Sequence, residues 1–469
     1  MGDLIPKSPG TSLAWNDPVL DLPELLTDVS DAVYIVGGAV RDAYLRRPIK
    51  DVDLVTSGSG MQLARTIANR LNGAYYPLDA ERDVGRALIE TPDGRLIFDV
   101  ARFRGGDLYT DLSDRDFTVN AIAVDVLGDL NLVIDPLGGI DDLKAKLLRR
   151  CGPQSIPSDP LRALRGIRQS VQFSLRIEAE TLRDIRAANE RLREVSAERV
   201  RDEFVKLLNL AKPATALRVA HGVGLLQAII PELESVDASH WRHILTTIER
   251  LNEIYVTFSP ARTDETAAQF SLGMLVVGLD RFRHDLYAHW KSGWADERPH
   301  RALLNLAALM AHFDWNMVDR CAAALRLSNA EKERLIAINR HQRAVDALDE
   351  LTPTAIYRYW KSTGAAGVDI LLLHLAQYLA RVEFDLDQDE WLRQVEITQT
   401  LLDAYYTQRD RFVEPPTLIN GDDLMKQLGL SSGRKIGELL EIIREAQVNG
   451  EVASAEEALR VARAHLNGK

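Results

Sequence analysis

Strand-forming patterns end near residue 140 of the 469-residue chain, and helical patterns fill the remainder. Val33–Val36 is a short β-prone run that stops at Gly37-Gly38, and Ala39–Arg47 has helical spacing. Asp51–Val55 alternates acidic and apolar residues, the period of a half-buried strand. Met61–Leu71 is an amphipathic helix pattern. Arg86–Thr91 and Leu96–Arg102 flank Pro92-Asp93-Gly94, a hairpin signal. Phe117–Val126 returns to helical spacing, and Val133–Asp135 reads as a last strand stopped by Pro136. The expected fold class is α+β, a small mixed-sheet head followed by an all-α neck, body and tail. The expected segments are a loose, proline-rich lead-in (1–30), the head (31–145), the neck (146–210), the body (211–350) and the tail (351–469). Thr257–Glu265 and Lys291–Pro299 read as loops in the body, and Leu418–Leu466 as a compact unit in the tail.

Charge and cysteine usage narrow the function classes. The formal net charge of −12 argues against nonspecific nucleic-acid binding by the whole surface. Lys144–Leu210 runs the other way, with 15 Lys plus Arg against 9 Asp plus Glu. A solvated helix face is the simpler reading of that run, and a local phosphate-binding surface is the other. Two cysteines, Cys151 and Cys321, exclude a disulfide framework or a cysteine-based zinc ribbon. The longest apolar run noted, Phe270–Leu279, is about half of the roughly 18 to 20 residues that cross a bilayer. With no secretory pattern at the N-terminus, a cytoplasmic protein without a membrane partner is expected.

The residues with the most chemistry follow the first strand. Asp51 and Asp53 share one face of a strand, about 7 Å apart at Cα, while Val52 and Leu54 face the other way. Paired carboxylates repel unless a cation sits between them, and Mg2+ favours such oxygen ligands. Gly37-Gly38 before a helix offers backbone N–H groups to phosphate, with Arg41 one turn on. Asp99 adds a third strand carboxylate. Each piece alone has a plain reading as a solvated strand edge or a tight turn. Together they fit two-metal phosphoryl or nucleotidyl transfer.

At this point the chain resembles the class II tRNA nucleotidyltransferase and poly(A) polymerase family. Tyr34–Val55, YIVGGAVRDAYLRRPIKDVDLV, resembles its first motif. SDRDFTVNAIA (Ser113–Ala123), IDPLGGIDDL (Ile134–Leu143), DPLRALRGIR (Asp159–Arg168) and SAERVRDEFVKLL (Ser196–Leu208) resemble the next four, in order. LINGDDLMKQLGL (Leu418–Leu430) and EAQVNGEV (Glu445–Val452) are similar to its C-terminal signature. The resemblance covers roughly the first 210 and last 50 residues and only loosely the middle.

The resemblance implies a Mg2+-dependent enzyme that adds CMP, or CMP and AMP, from CTP and ATP to the acceptor end of tRNA. It implies Asp51 and Asp53 as metal ligands and Asp99 beside the 3′-hydroxyl. Gly37, Gly38 and Arg41 would face the triphosphate, and Arg115 the ribose 2′-hydroxyl, with Asp116 and Asn120 in the same motif. Asp159 and Arg162 would read the base, with Arg165 and Arg168 in reach of phosphates. If Asp159 and Arg162 share a helix face at i and i+3, carboxylate and guanidinium suit the amine and acceptor edge common to cytosine and adenine. A surface ion pair is the plainer reading of that spacing.

Three departures from the family pattern stand out. Asp114 replaces the usual first arginine, and Ser158, a possible helix cap, replaces a frequent glutamate. Only Phe103–Ser113 spans a gap that often holds a long flexible loop, and within the family a short loop accompanies CC addition. A poly(A) polymerase, an A-adding enzyme and a non-catalytic RNA-binding relative are the alternatives. His284-Asp285 would suit a His-Asp phosphohydrolase, but no full ligand set accompanies it. His240, His243, His284 and His289 read as ordinary surface or partly buried residues.

Overall fold

The computed structural model describes residues 4–92, 94–260, 270–294, 298–382 and 385–467. The chain divides into two compact units. The first comprises Met1–Ser196 and Val219–Ile229, and the second Ala197–Arg218 and Ile230–Lys469.

A six-stranded mixed sheet organises the first unit, in the order β3-β4-β5-β2-β1-β6. Its elements are β1 (Val33–Val36), α1 (Gly38–Tyr44), β2 (Asp51–Thr56), α2 (Gly60–Arg70), β3 (Ala74–Asp79), β4 (Val84–Thr91), β5 (Gly94–Arg102), α3 (Leu108–Ser113) and β6 (Ala123–Asp125). β2 pairs parallel with β5, and every other pairing is antiparallel. Alternation explains the layering. Val52, Leu54, Ala87, Phe98 and Val100 are buried on one face. α2 covers that face, its Ala64 and Met61 so close to Gly85 that a side chain there would collide. Ser59 caps α2 through the Gln62 N–H, and the Asp83 carboxylate accepts from the Gly60 and Met61 N–H groups.

Four expectations for this region change. The lead-in is packed, with two one-turn helices and buried Leu13, Val19, Leu22 and Leu26. Lys7 and Val133 exchange backbone hydrogen bonds at 2.9 Å, and the Trp15 indole donates to the Leu130 carbonyl. β3 was not expected; its tyrosines sit before a proline and a register shift, which break the alternation. Phe117–Val126 is not a helix but a 3-10 turn, Thr118–Asn120, leading into β6. Val133–Asp135 adds only isolated bridges, Ile134 with Ala123 and Val133 with Lys7. Of the hairpin turn, Asp93 lies outside the described residues.

Past the sheet, α4 (Leu161–Gln172) buries Leu161, Leu164 and Ile167. Two short strands, Leu147–Leu148 and Arg176–Ile177, pair in parallel nearby.

The second unit is helical. Ala238–Phe258 runs through Thr257 and Phe258, which had read as loop; 261–269 and 295–297 lie outside the described residues. Among the described residues, Pro353–Val382, and not Phe270–Leu279, is the helical stretch long and apolar enough to cross a membrane. Yet 78% of its most apolar part is packed inside the protein, as in the core helix of a globular fold. Near the C-terminus, Leu424, Leu439, Ile443, Ala458 and Ala462 close a core of their own. Asn420 and Ser454 cap helices Gly421–Leu428 and Ala455–Leu466.

Candidate active site

One transverse row across the open face of the sheet carries the candidate chemistry. The ladder sets Val36 beside Asp53, Asp53 beside Asp99, Asp99 beside Arg86, and Arg86 beside Tyr76. Directly paired residues point to the same face of a sheet, with strands about 4.8 Å apart. Asp51 joins that face two residues before Asp53. Asp53 keeps contact with solvent although protein packs densely around it. That crowding raises its carboxyl pKa; Arg115 opposes the shift, while Asp99 and Asp51 add to it.

Asp99 is clamped by Arg86, whose Nε and Nη2 donate to its two oxygens at 2.7 and 2.8 Å. Arg86 was not among the expected residues. The hairpin encodes it: Thr91 opposite Gly94 places Arg86 opposite Asp99 by counting back along both strands.

Gly37 turns the chain from β1 into α1 with φ of 76°. A Cβ there would stand 2.6 Å from Arg115 Nη1 and 3.4 Å from an Asp53 oxygen. Glycine thus lets the Arg115 guanidinium lie over the turn beside Asp53. The Gly37 N–H donates to the Ile122 carbonyl at 3.1 Å and is not offered to a phosphate.

Arg115 is aimed by Asp111, a second residue not expected from the sequence. Asp111 is buried in α3 and accepts from Arg115 Nε and Nη2 at 3.3 and 3.1 Å, and from the Arg104 N–H at 3.2 Å. The i, i+4 spacing of Asp111 and Arg115 was its signal. The gap between β5 and Arg115 is therefore ordered structure. Asp107 caps α3 through the Thr110 N–H, and Leu108 and Leu112 are buried against Val36 and Val55. Asp114, the departure from the family pattern, turns its carboxylate to Arg104 at 3.5 Å.

Arg41, Asp116 and Asn120 form a buried network behind the site. Arg41 donates to both Asp42 oxygens at 3.0 Å and to the Asn120 side-chain oxygen, and its guanidinium lies 4.1 Å over the Phe173 ring. The Asn120 amide donates to Asp116 at 2.8 Å and to Gln169 at 3.0 Å. Burial raises the Asp116 carboxyl, but Arg165, Asn120 and the Phe117 N–H outweigh it and hold it below the usual carboxylate range. Arg41 thus faces this network rather than the open site, and Arg165 reaches Asp116 at 3.3 Å. Arg168 donates to Gln172 one turn on.

Asp159 and Arg162 do not share a helix face. Asp159 is extended (φ −143°, ψ 95°), and Pro160 stands between it and the first residue of α4, Leu161. A residue before proline is disfavoured in helical geometry. The Asp159 carboxylate accepts from the Leu161 N–H at 3.3 Å instead. Ser158 ends a short helix, Ser155–Ser158, and donates to the Ser155 carbonyl, so it caps nothing. The Arg162 guanidinium donates to the carbonyls of Asp114, Ser155 and Arg115 at 2.8, 2.9 and 3.3 Å. Two motifs far apart in sequence thereby meet.

Much of the basic segment is neutralised locally. Arg149 pairs with Asp142, and Arg150 with Glu180 and Asp184. In the second unit, His284 and Asp285 are exposed at the start of a helix. Among the described residues no three His, Cys, Asp or Glu side chains converge to hold a metal ion. Asp51 and Asp53 alone still fit Mg2+, which commonly takes one or two carboxylates and fills its shell with water and substrate phosphates. Crowding of Asp53 by Asp51 and Asp99 is the repulsion that such a cation would relieve.

Comparison with known proteins bears on the whole chain. The family description "Poly A polymerase head domain" matches residues 33–149. "Probable RNA and SrmB- binding site of polymerase A" matches 174–236, and "tRNA nucleotidyltransferase domain 2 putative" matches 307–462. The CC-adding tRNA nucleotidyltransferase of Geobacter sulfurreducens is 30% identical over 447 residues, 94% of each chain. The chain belongs to the tRNA nucleotidyltransferase and poly(A) polymerase family. It is thus a member of an enzyme family. The CC-adding enzyme of Synechocystis is 29% identical across 91% of this chain and 92% of its own. The A-adding enzyme of Deinococcus radiodurans is 28% identical across 90% and 93%. Among solved structures, a CCA-adding enzyme in complex with ATP shares the fold, with a TM-score of 0.66 at 23% identity, covering 96% of this chain and 94% of that one.

Proposed function

We propose that this family member adds CMP from CTP to the 3′ end of tRNA and stops after two cytidylates. The observation that carries the choice of CC addition is the segment from Phe103 to Ser113. It is short, capped and packed, where a pocket that must change from CTP to ATP would call for a mobile loop. Full-length similarity to two relatives named CC-adding supports the same reading.

The chemistry is a displacement at phosphorus. The tRNA 3′-oxygen bonds to the CTP α-phosphorus, the bond to the β-phosphate oxygen breaks, and pyrophosphate leaves with the electron pair. The hydroxyl proton passes to solvent. Asp51 and Asp53 would hold Mg2+, which when bound lowers the hydroxyl pKa and offsets charge on the leaving phosphate. Asp99, fixed by Arg86, orients the 3′-hydroxyl. The turn at Gly37-Gly38 borders the triphosphate, and Arg115, aimed by Asp111, reads the ribose 2′-hydroxyl. Arg162, immobilised by three carbonyls, and Asp159 present donor and acceptor to the cytosine edge. Arg41, Asp116 and Asn120 hold these parts in place, with Arg165 and Arg168 at the flank. Positioning and charge supply most of the rate enhancement. Its substrates place its work in the cytoplasm.

The test is incubation with Mg2+, labelled CTP and a tRNA transcript lacking CCA. Two added cytidylates are expected, and Asp51→Ala and Asp53→Ala should reduce addition to the detection limit while circular dichroism stays that of the wild type. Normal turnover in either variant contradicts the metal assignment. Absence of any addition by the wild type contradicts the function.

A further inference from the structure

The row of side chains continues past the carboxylates to the edge of the sheet. Asp53 lies between the Gly37 turn on the β1 side and Asp99 on the β5 side. Displacement at phosphorus sets the attacking and leaving oxygens roughly in line. With the triphosphate on the Gly37 side, the tRNA end must approach from the other side, over Asp99. The next residues in that direction are Arg86 and then Tyr76 on the edge strand β3.

Both suit a nucleotide. Tyr76 is 51% exposed although it is a large aromatic residue. Its neighbour Tyr75 points to the opposite face, packed near α2 with the Arg65 guanidinium 4.8 Å over its ring. Alternation therefore leaves Tyr76 on the face of the carboxylates. Arg86 is partly exposed, and its clamp on Asp99 fixes its charge between the tyrosine and the catalytic row. An aromatic face and a guanidinium side by side are the elements with which proteins hold single-stranded RNA ends, by base stacking and by contact with phosphate.

We propose that Tyr76 and Arg86 seat the terminal nucleotide of the tRNA substrate, Tyr76 against its base and Arg86 against its phosphate. This rests on the reading of the chain as a CMP-adding enzyme and names the part of the site that takes the second substrate. The seat is indifferent to base identity, because every base has a stacking face. It can therefore hold the discriminator nucleotide in the first round and cytidine in the second.

The experiment is steady-state kinetics with full-length Tyr76→Ala, Tyr76→Phe and Arg86→Gln, varying tRNA and CTP separately. Tyr76→Ala should raise KM for tRNA about tenfold, the size of one lost stacking contact, with KM for CTP unchanged. Tyr76→Phe should restore it. Arg86→Gln should flatten the salt dependence of tRNA KM by about one phosphate contact, a slope change near 0.7 for a single strand. A change in kcat from the lost Asp99 clamp with that slope unaltered would overturn the phosphate contact. Unaltered tRNA KM in Tyr76→Ala, or a rise in CTP KM instead, overturns the seat while wild-type addition of CMP leaves the CMP-adding reading standing. A wild type that adds no nucleotide overturns both.

Discussion

A methyl group at position 37 would collide with the Arg115 guanidinium and press on Asp53. Its backbone, φ 76° and ψ −133°, is also one that only glycine adopts readily. Gly37→Ala should therefore cost about 1 to 3 kcal/mol of stability and raise KM for CTP. Urea denaturation and nucleotide kinetics check the two effects, and an Ala variant with native stability would show that the turn relaxes. At this scale the sequence was legible where one strand or one turn sufficed. Asp51, Asp53 and Gly37 required only period-two alternation and a Gly-Gly pair. Asp159 and Arg162 were misplaced because spacing was read as helix across Pro160, which holds Asp159 extended and outside a helix that starts only at Leu161. The contacts of Arg41 were not legible for a different reason. Its helix position was right, but Asp42, Asn120 and Phe173 compete for its guanidinium, and two of those three are remote in sequence.

α3 fills the short gap between β5 and Arg115. Its N-cap, its two buried leucines and the Asp111–Arg115 pair make it a platform for one arginine. Asp111→Ala removes the acceptor for Arg115 and for the Arg104 N–H, and should lower discrimination between CTP and dCTP in the same direction as Arg115→Ala. The ratio of kcat/KM for the two nucleotides measures it; an unchanged ratio would mean that Gly37 and Asp53 alone aim the guanidinium. Strands β1, β2, β4 and β5 were visible from alternation and turn residues. β3 was hidden by its proline and register shift, and β6 by the 3-10 turn before it. Tertiary pairing with β1, not local pattern, makes Ala123–Asp125 a strand.

The two units carry different loads. The helical unit is held partly by a buried charged cluster in which Asp369 meets His289 Nε2 at 2.8 Å and Arg334 at 3.2 Å. Burial pushes the Asp369 carboxyl up, but His289 and Arg334 outweigh that and hold it below its ordinary value. A carboxyl whose folded pKa is depressed stabilises the fold above its unfolded pKa, and loses that contribution as pH falls through the folded value. Stability of this unit should thus decline below about pH 4, the unfolded range of an aspartate. Asp369→Ala should cost about 3 to 5 kcal/mol at neutral pH by stranding its partners, and should flatten the acid limb. Chemical denaturation between pH 3 and 7 tests both, and an unchanged acid limb would assign the loss to other carboxylates. The all-helical character of this unit was legible, but the cluster was not, because its members come from helices far apart in sequence.

The most direct test of CC addition uses a tRNA transcript that already ends in CC, with Mg2+ and labelled ATP, beside a transcript lacking CCA with CTP and ATP together. The second is predicted to gain two cytidylates, and the first to gain no AMP. Completion to CCA, AMP on the CC-ending transcript, or a long A tail would contradict CC addition, and would show that the packed segment from Phe103 to Ser113 does not hold the pocket to CTP.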